Sequence, residues 1–180
     1  MPEKIDFITP TTLKVLEFFF ANSMEEFHER EIVRSVKISK GSANKILRHL
    51  SGLALLQREK KGRMVFYKLN TGDPCVRQLK ILSNLWALRK FVGENKERVK
   101  KIVLFGSCAE GTNVRESDID ILIITDERKP VKESVSRFNQ KSERKIAPLI
   151  VDMDEFVRMK REDKPLFERI DRGVILWEAG

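Results

Sequence analysis

Apolar residues recur at helical spacing in the first third of the chain. Leu13, Leu16, Phe19 and Phe20 within TTLKVLEFFFA (residues 11–21) predict a first helix, and Glu29 to Val36 a second. Ser39 to Ser51 reads as a third. Ser39 is placed to cap it, Ala43, Ile46, Leu47 and Leu50 share one face, and Ser42, Asn44, Lys45, Arg48 and His49 lie on or flank the other. The period then shortens. Leu55 to Glu59 and Met64 to Leu69 read as two strands, joined by Lys60-Lys61-Gly62-Arg63, where the glycine frees the backbone for a tight turn. Asp73-Pro74 is an N-cap followed by proline in the first helical turn, and predicts a long helix to about Val92. Its apolar residues Leu79, Ile81, Leu82, Leu85, Trp86, Leu88 and Phe91 spread beyond one stripe, so it is expected to be covered on two sides, between domains or in a homodimer.

From Lys101 the pattern changes to short apolar strands. Ile102 to Phe105 ends at Gly106-Ser107, where a turn into a helix would begin, and Ile119 to Thr125 forms a second strand with Asp118 and Asp120 at its start. Alternation along a strand turns both carboxylates to one face, about 6–7 Å apart at Cα. A pair of that kind suits a hard divalent cation such as Mg²⁺, which combines carboxylate oxygens with substrate phosphate oxygens. Gly106 lets a phosphate approach the backbone and Ser107 offers a donor to its oxygens. A helix over Val131 to Lys141 and a strand over Ile146 to Val151 follow.

Charge sharpens the division. Residues 1–72 carry 13 Lys+Arg against 8 Asp+Glu, residues 73–101 carry 8 against 3, and residues 102–180 carry 14 against 16. A basic front half, suited to a polyanion, thus precedes a slightly acidic back half. No apolar run reaches the roughly 18 residues that cross a bilayer, and Glu3 and Asp6 stand where a secretory leader would be basic, so a soluble cytoplasmic protein without membrane contact is expected. Cys75 and Cys108 lack the spacing of a zinc site and are expected to be reduced. His28 and His49 have no neighbouring ligand and are expected in surface or capping roles, while Trp86 and Trp177 are expected in a core or an interface.

Two resemblances follow. Three short helices and a basic hairpin over about residues 8–70 resemble a winged helix-turn-helix domain, which implies DNA contact by Ser42, Asn44, Lys45 and Arg48 of the recognition helix and by Lys60, Lys61 and Arg63 of the wing. The combination of strand, Gly106-Ser107, Gly111 and Asp118-Ile119-Asp120 heading a strand resembles the nucleotidyltransferase superfamily that includes DNA polymerase beta, and most of all its minimal branch. The tail PLFERIDRGVILWE is similar to the end of that small domain, so residues 99–180 are covered.

The implied fold is α+β: a winged helix (1–72), a linker or dimerisation helix (73–98) and a small nucleotidyltransferase domain (99–180) with a mixed sheet flanked by helices. The implied activity moves a nucleoside monophosphate from a nucleoside triphosphate, by preference ATP, to an acceptor. Two Mg²⁺ ions would be held by Asp118 and Asp120 as the catalytic and metal-binding residues, and the nucleotide by Gly106 and Ser107. The acceptor is left open among nucleic acid, small molecule and protein, including a small helical partner protein. A DNA-binding regulator with a catalytically degenerate transferase domain is the alternative, because the chain departs from the family in two places. Cys108 and Glu110 stand where many members carry arginines, and a third carboxylate facing the first two would fall at Ala147 or Leu149, leaving Asp152 or Asp154 to supply it.

Overall fold

The structure is a computed structural model and describes residues 8–180. Glu3 and Asp6 lie outside the described residues. The chain forms two compact units, one ending at Gln78 and the other spanning Leu79–Gly180.

In the first unit α1 (Pro10–Ala21) starts at Thr9, whose Oγ1 accepts from the Thr12 amide at 3.2 Å. β1 (Glu26–His28) leads into α2 (Glu29–Val36), where His28 closes a capping box: its Nδ1 accepts from the Arg30 amide, and Glu31 Oε2 accepts from the His28 amide at 2.7 Å. The expected capping role of this histidine is what the structure shows. α3 (Lys40–Gly52) is capped by Ser39 as expected, with Oγ accepting from the Ser42 amide at 3.1 Å. Val15, Leu16, Phe19, Ile32, Ala43, Leu47 and Leu50 are all fully buried, so the three helices share one core. Leu13 departs from expectation at 39% exposure, because the buried face of α1 runs Thr12, Val15, Leu16, Phe19 and Phe20 and residue 13 sits about 100° round from it. β2 (Leu56–Lys61) and β3 (Met64–Leu69) form the hairpin, with β1 added in the order β1-β3-β2. The predicted four-residue connection is shorter than read: Lys60 and Lys61 pair with Val65 and Met64, which leaves Gly62 (φ +62°) and Arg63 as the turn. The arrangement is a winged helix.

α4 (Pro74–Asn95) begins where Asp73 Oδ1 accepts from the amides of Cys75 and Val76. It runs three residues beyond Val92, and Asn95 Nδ2 near its end donates to Phe91 O and Ser134 Oγ. In the second unit β4 (Lys101–Leu104), α5 (Ser107–Glu110), β5 (Ile119–Ile124), α6 (Arg128–Lys141), β6 (Ile146–Val151), α7 (Met153–Glu162), α8 (Lys164–Asp171) and β7 (Val174–Glu178) follow in sequence. The sheet order is β6-β5-β4-β7, mixed, with β5 and β6 parallel. One face, Ile102, Leu104, Ile119, Ile121, Ile123 and Ile146, packs with Leu88 and Phe91 of α4 and Val131 and Val135 of α6. The other, Val103, Phe105, Leu122, Ile124 and Val151, packs with Ile170 of α8, Leu166, and Phe156 and Met159 of α7. Cover on both faces explains why β5 reads as a nearly unbroken apolar run. Asp120 is the break in that run. It has the parity of Leu122 and Ile124 and therefore belongs to the α7–α8 face. On α4, Leu82 and Trp86 are 53% and 67% exposed.

Candidate functional site

β4 delivers the chain to Gly106, whose φ of +66° and ψ of −156° lie in a region open essentially to glycine alone. A Cβ at this position would overlap Asp120 Oδ2 and stand 3.3 Å from Arg169 Nη2, so glycine makes room for both side chains. Gly106 O then accepts from the amides of Ala109 and Glu110, Ser107 O accepts from those of Thr112 and Asn113, and Gly111 (φ +70°) closes the turn. Ser107 is half-buried beside it.

The turn is held from beneath by buried polar groups that sequence reasoning missed. Asn84 on α4 donates to Cys108 O at 2.8 Å and to Asn113 Oδ1 at 3.1 Å, and Lys80, 3% exposed, donates to Asn113 O. Arg144 Nη2 donates to Asn84 Oδ1 at 2.7 Å, with Nη1 3.5 Å from Cys108 Sγ. Burial, reinforced by the Arg144 charge, lowers the Lys80 pKa. Cys108 is fully buried and burial pushes its thiol pKa up, so it stays protonated and serves packing. Lys80 and Asn84 stand four residues apart on α4 among Leu79, Ile81, Leu85 and Leu88, and that spacing was the available signal.

Asp118 stands exposed just ahead of β5, and Asp120 follows at 33% side-chain exposure. Burial raises the Asp120 pKa, the Arg169 guanidinium opposes that, and Asp118 adds to the rise. The Asp118 charge therefore reaches Asp120, on the face that the Gly106 turn also borders. Among the described residues no third carboxylate joins them. β6 runs in register with β5, setting Ala147 beside Asp120 and Leu149 beside Leu122. Asp152 lies five residues beyond Ala147, about 16 Å along the strand. It is committed to capping α7, its Oδ1 accepting from the Glu155 amide at 2.8 Å and its Oδ2 from Arg128 at 2.9 Å. Asp154 follows it in the first turn of α7. Among the described residues no cluster of three or more Asp, Glu, His or Cys is placed to hold a metal. Arg169, also missed, is the one cation within 4 Å of Asp120 among the described residues, with Nη2 3.9 Å from Oδ2.

On the winged helix, Ser42, Asn44, Lys45 and Arg48 are exposed along α3, and Lys60 and Arg63 on the wing. Lys61 is engaged, donating to Glu26 Oε2 at 2.7 Å, and Asn44 Nδ2 donates to Glu29 Oε2 at 2.9 Å. An open cavity of about 450 Å³ beside α3 is lined by Arg48, Ser51, Gly52, Leu56 and Arg58, which adds Arg58 to the basic surface.

Residues 87–175 match the family model described as "Nucleotidyltransferase domain". The second unit carries a nucleotidyltransferase domain. Two curated relatives from Methanocaldococcus jannaschii are similar to this chain. "Putative protein adenylyltransferase MJ0604" is 52% identical over 44 residues, which is 22% of this chain and 44% of that protein. "Putative protein adenylyltransferase MJ0141" is 36% identical over 61 residues, 31% of this chain and 62% of that protein. The chain thus spans about half the length of the curated relatives it matches. A crystal structure of a "putative nucleotidyltransferase" from Sulfolobus solfataricus is 22% identical, covering 57% of this chain and 86% of that one, with a TM-score of 0.38, at which the likeness carries no argument. Among the described residues of this nucleotidyltransferase-bearing chain, no helix is long and apolar enough to cross a membrane.

Proposed function

We propose that the chain transfers an adenylyl group from ATP to an acceptor in a Mg²⁺-dependent reaction, and that its winged helix binds DNA. The carrying observation is the approach of Asp120 to Gly106: a carboxylate pair and a glycine turn that only a residue without a Cβ can make share one face of the sheet. Two carboxylates fit Mg²⁺, which is held by one or two such groups and completes its shell with water and substrate phosphate oxygens. Asp118 and Asp120 hold the ion, and Gly106 and Ser107 receive the triphosphate through backbone and hydroxyl donors. An ion held by Asp118 and Asp120 would supply activation of the acceptor oxygen and neutralisation of charge on the transferred and departing phosphates. The names of the two relatives support adenylyl transfer to protein.

The DNA reading is supported by Lys45, Arg48, Lys60 and Arg63, which have no acidic partner within 4 Å among the described residues. Four phosphate contacts predict a salt slope near −3.6 in log K against log[salt]. The exposed Leu82 and Trp86 on α4 support a homodimer. A second reading rests on Ala147: with no carboxylate beside Asp120, the domain retains nucleotide without turnover and the chain acts as a DNA-binding regulator.

The test is titration of Mg-ATP into wild type and the Asp118→Asn/Asp120→Asn variant, with labelled-adenylyl transfer assayed against protein and DNA acceptors. Binding and transfer lost together in the variant support the enzyme. Metal-dependent binding without transfer selects the regulator, and no binding by wild type overturns both.

A further inference from the structure

A nucleotide site needs positive charge for the triphosphate, and the Gly106–Gly111 turn supplies none, since Glu110 is its one ionisable residue apart from the buried Cys108. α5 is too short to contribute a helix terminus. The cations beneath the turn are engaged, Lys80 with Asn113 O and Arg144 with Asn84. Arg169 is differently placed. Its neighbour Ile170 is 3% exposed and packs with Val103, Phe105 and Leu122, which fixes α8 over the face that bears Asp120. The guanidinium lies over the Phe105 ring, 5.8 Å from its centroid, and reaches to 3.9 Å from Asp120 Oδ2. That separation is an ion pair without a hydrogen bond, and among the described residues the planar donors of Arg169 make no hydrogen bond at all. The side chain is half exposed, so the donors are open to a ligand.

We propose that Arg169 is a phosphate-binding residue of this site, its guanidinium forking onto the non-transferred phosphates of a nucleoside triphosphate whose metal is held by Asp118 and Asp120. The proposal rests on the nucleotide reading above. Guanidinium geometry matches two phosphate oxygens at once, which an ammonium cannot do. A role limited to balancing the Asp120 charge would not distinguish nucleotides by phosphate number. Phosphate binding would.

The experiment is calorimetric titration of ATP, ADP and AMP, each with Mg²⁺, into the full chain as wild type, Arg169→Ala, Arg169→Lys and Asp118→Asn/Asp120→Asn, with melting curves to confirm folding. Arg169→Ala is expected to weaken ATP about tenfold to a hundredfold and to change AMP by less than about twofold, with Arg169→Lys recovering part of the loss. Equal weakening of ATP and AMP, or an alanine variant that binds ATP like wild type, overturns the assignment while leaving the nucleotide reading in place. Failure of wild type to bind any of the three overturns that reading and the assignment with it.

Discussion

Replacing Gly106 by alanine tests the site at its tightest point. An L residue held at φ +66°, ψ −156° costs about 1–3 kcal/mol, while the lost freedom of the unfolded chain returns about 0.4–1 kcal/mol. The net is a destabilisation of roughly 1–2 kcal/mol, or a melting temperature lowered by about 5–15 °C in a domain of near 100 residues. The added methyl also displaces a functional group, because Asp120 Oδ2 occupies the position it would take. The carboxylate can swing aside, so Mg²⁺-dependent nucleotide binding falls further than the stability loss alone accounts for. Both tryptophans, Trp86 and Trp177, belong to the second unit, so emission excited selectively at tryptophan follows that unit's unfolding without contribution from Tyr67 of the winged helix. Gly93→Ala is the control: it is helical with no neighbour within 4 Å and is expected to stabilise by up to about 1 kcal/mol. A Gly106→Ala protein that melts with wild type refutes the backbone argument, and one that melts lower yet binds Mg-ATP at wild-type affinity refutes the placement of Asp120.

Asn84→Ala removes the donors to Cys108 O and Asn113 Oδ1 and the acceptor of Arg144, and is expected to cost about 1–3 kcal/mol in denaturant unfolding followed by tryptophan emission; an unchanged midpoint would show that the clamp is idle. The hydrogen bond from the Glu155 amide, aided by the Arg128 charge, holds the Asp152 carboxyl below its usual range. Its stabilisation is thus complete above the unfolded value near pH 4 and lost as pH falls through the lowered folded value. The stability gap between wild type and Asp152→Asn should close over that acid window, and a gap independent of pH contradicts the pairing. Ala147→Asp sets a third carboxylate about 4.8 Å from Asp120 at Cα; thermal unfolding should show it less stable than wild type in chelator and regaining the difference when Mg²⁺ is added, and an absence of that recovery argues against a metal at this face.

Local chemistry was legible where a residue's role depends on its near neighbours. The cap at Ser39, the buried row Ala43, Leu47 and Leu50, and the strand that carries Asp120 all follow from spacing over fewer than a dozen residues, and the structure reproduces them. What escaped depends on distant pairing. The apolar period of α4 hid the polar clamp of Lys80 and Asn84, because the acceptor loop lies 24–33 residues away. Arg169 reaches Asp120 across 49 residues of sequence, and only the docking of α8 through Ile170 brings them together.

The fate of the third carboxylate turns on the same distinction. Sequence alone left Asp152 and Asp154 as candidates because a one-residue slip in β6 exchanges its faces. The parallel register with β5 removes that freedom, setting Ala147 beside Asp120. It also carries both acids to the opposite end of the strand, where Asp152 answers to the helix it starts. An acidic residue close in sequence to the expected position is therefore spent on folding, while the cation that meets the site comes from a helix whose motif gave no hint of it. This face therefore carries Asp118 and Asp120 with Arg169 beside them, and in the proposed nucleotide site that guanidinium is the charge set against the phosphates.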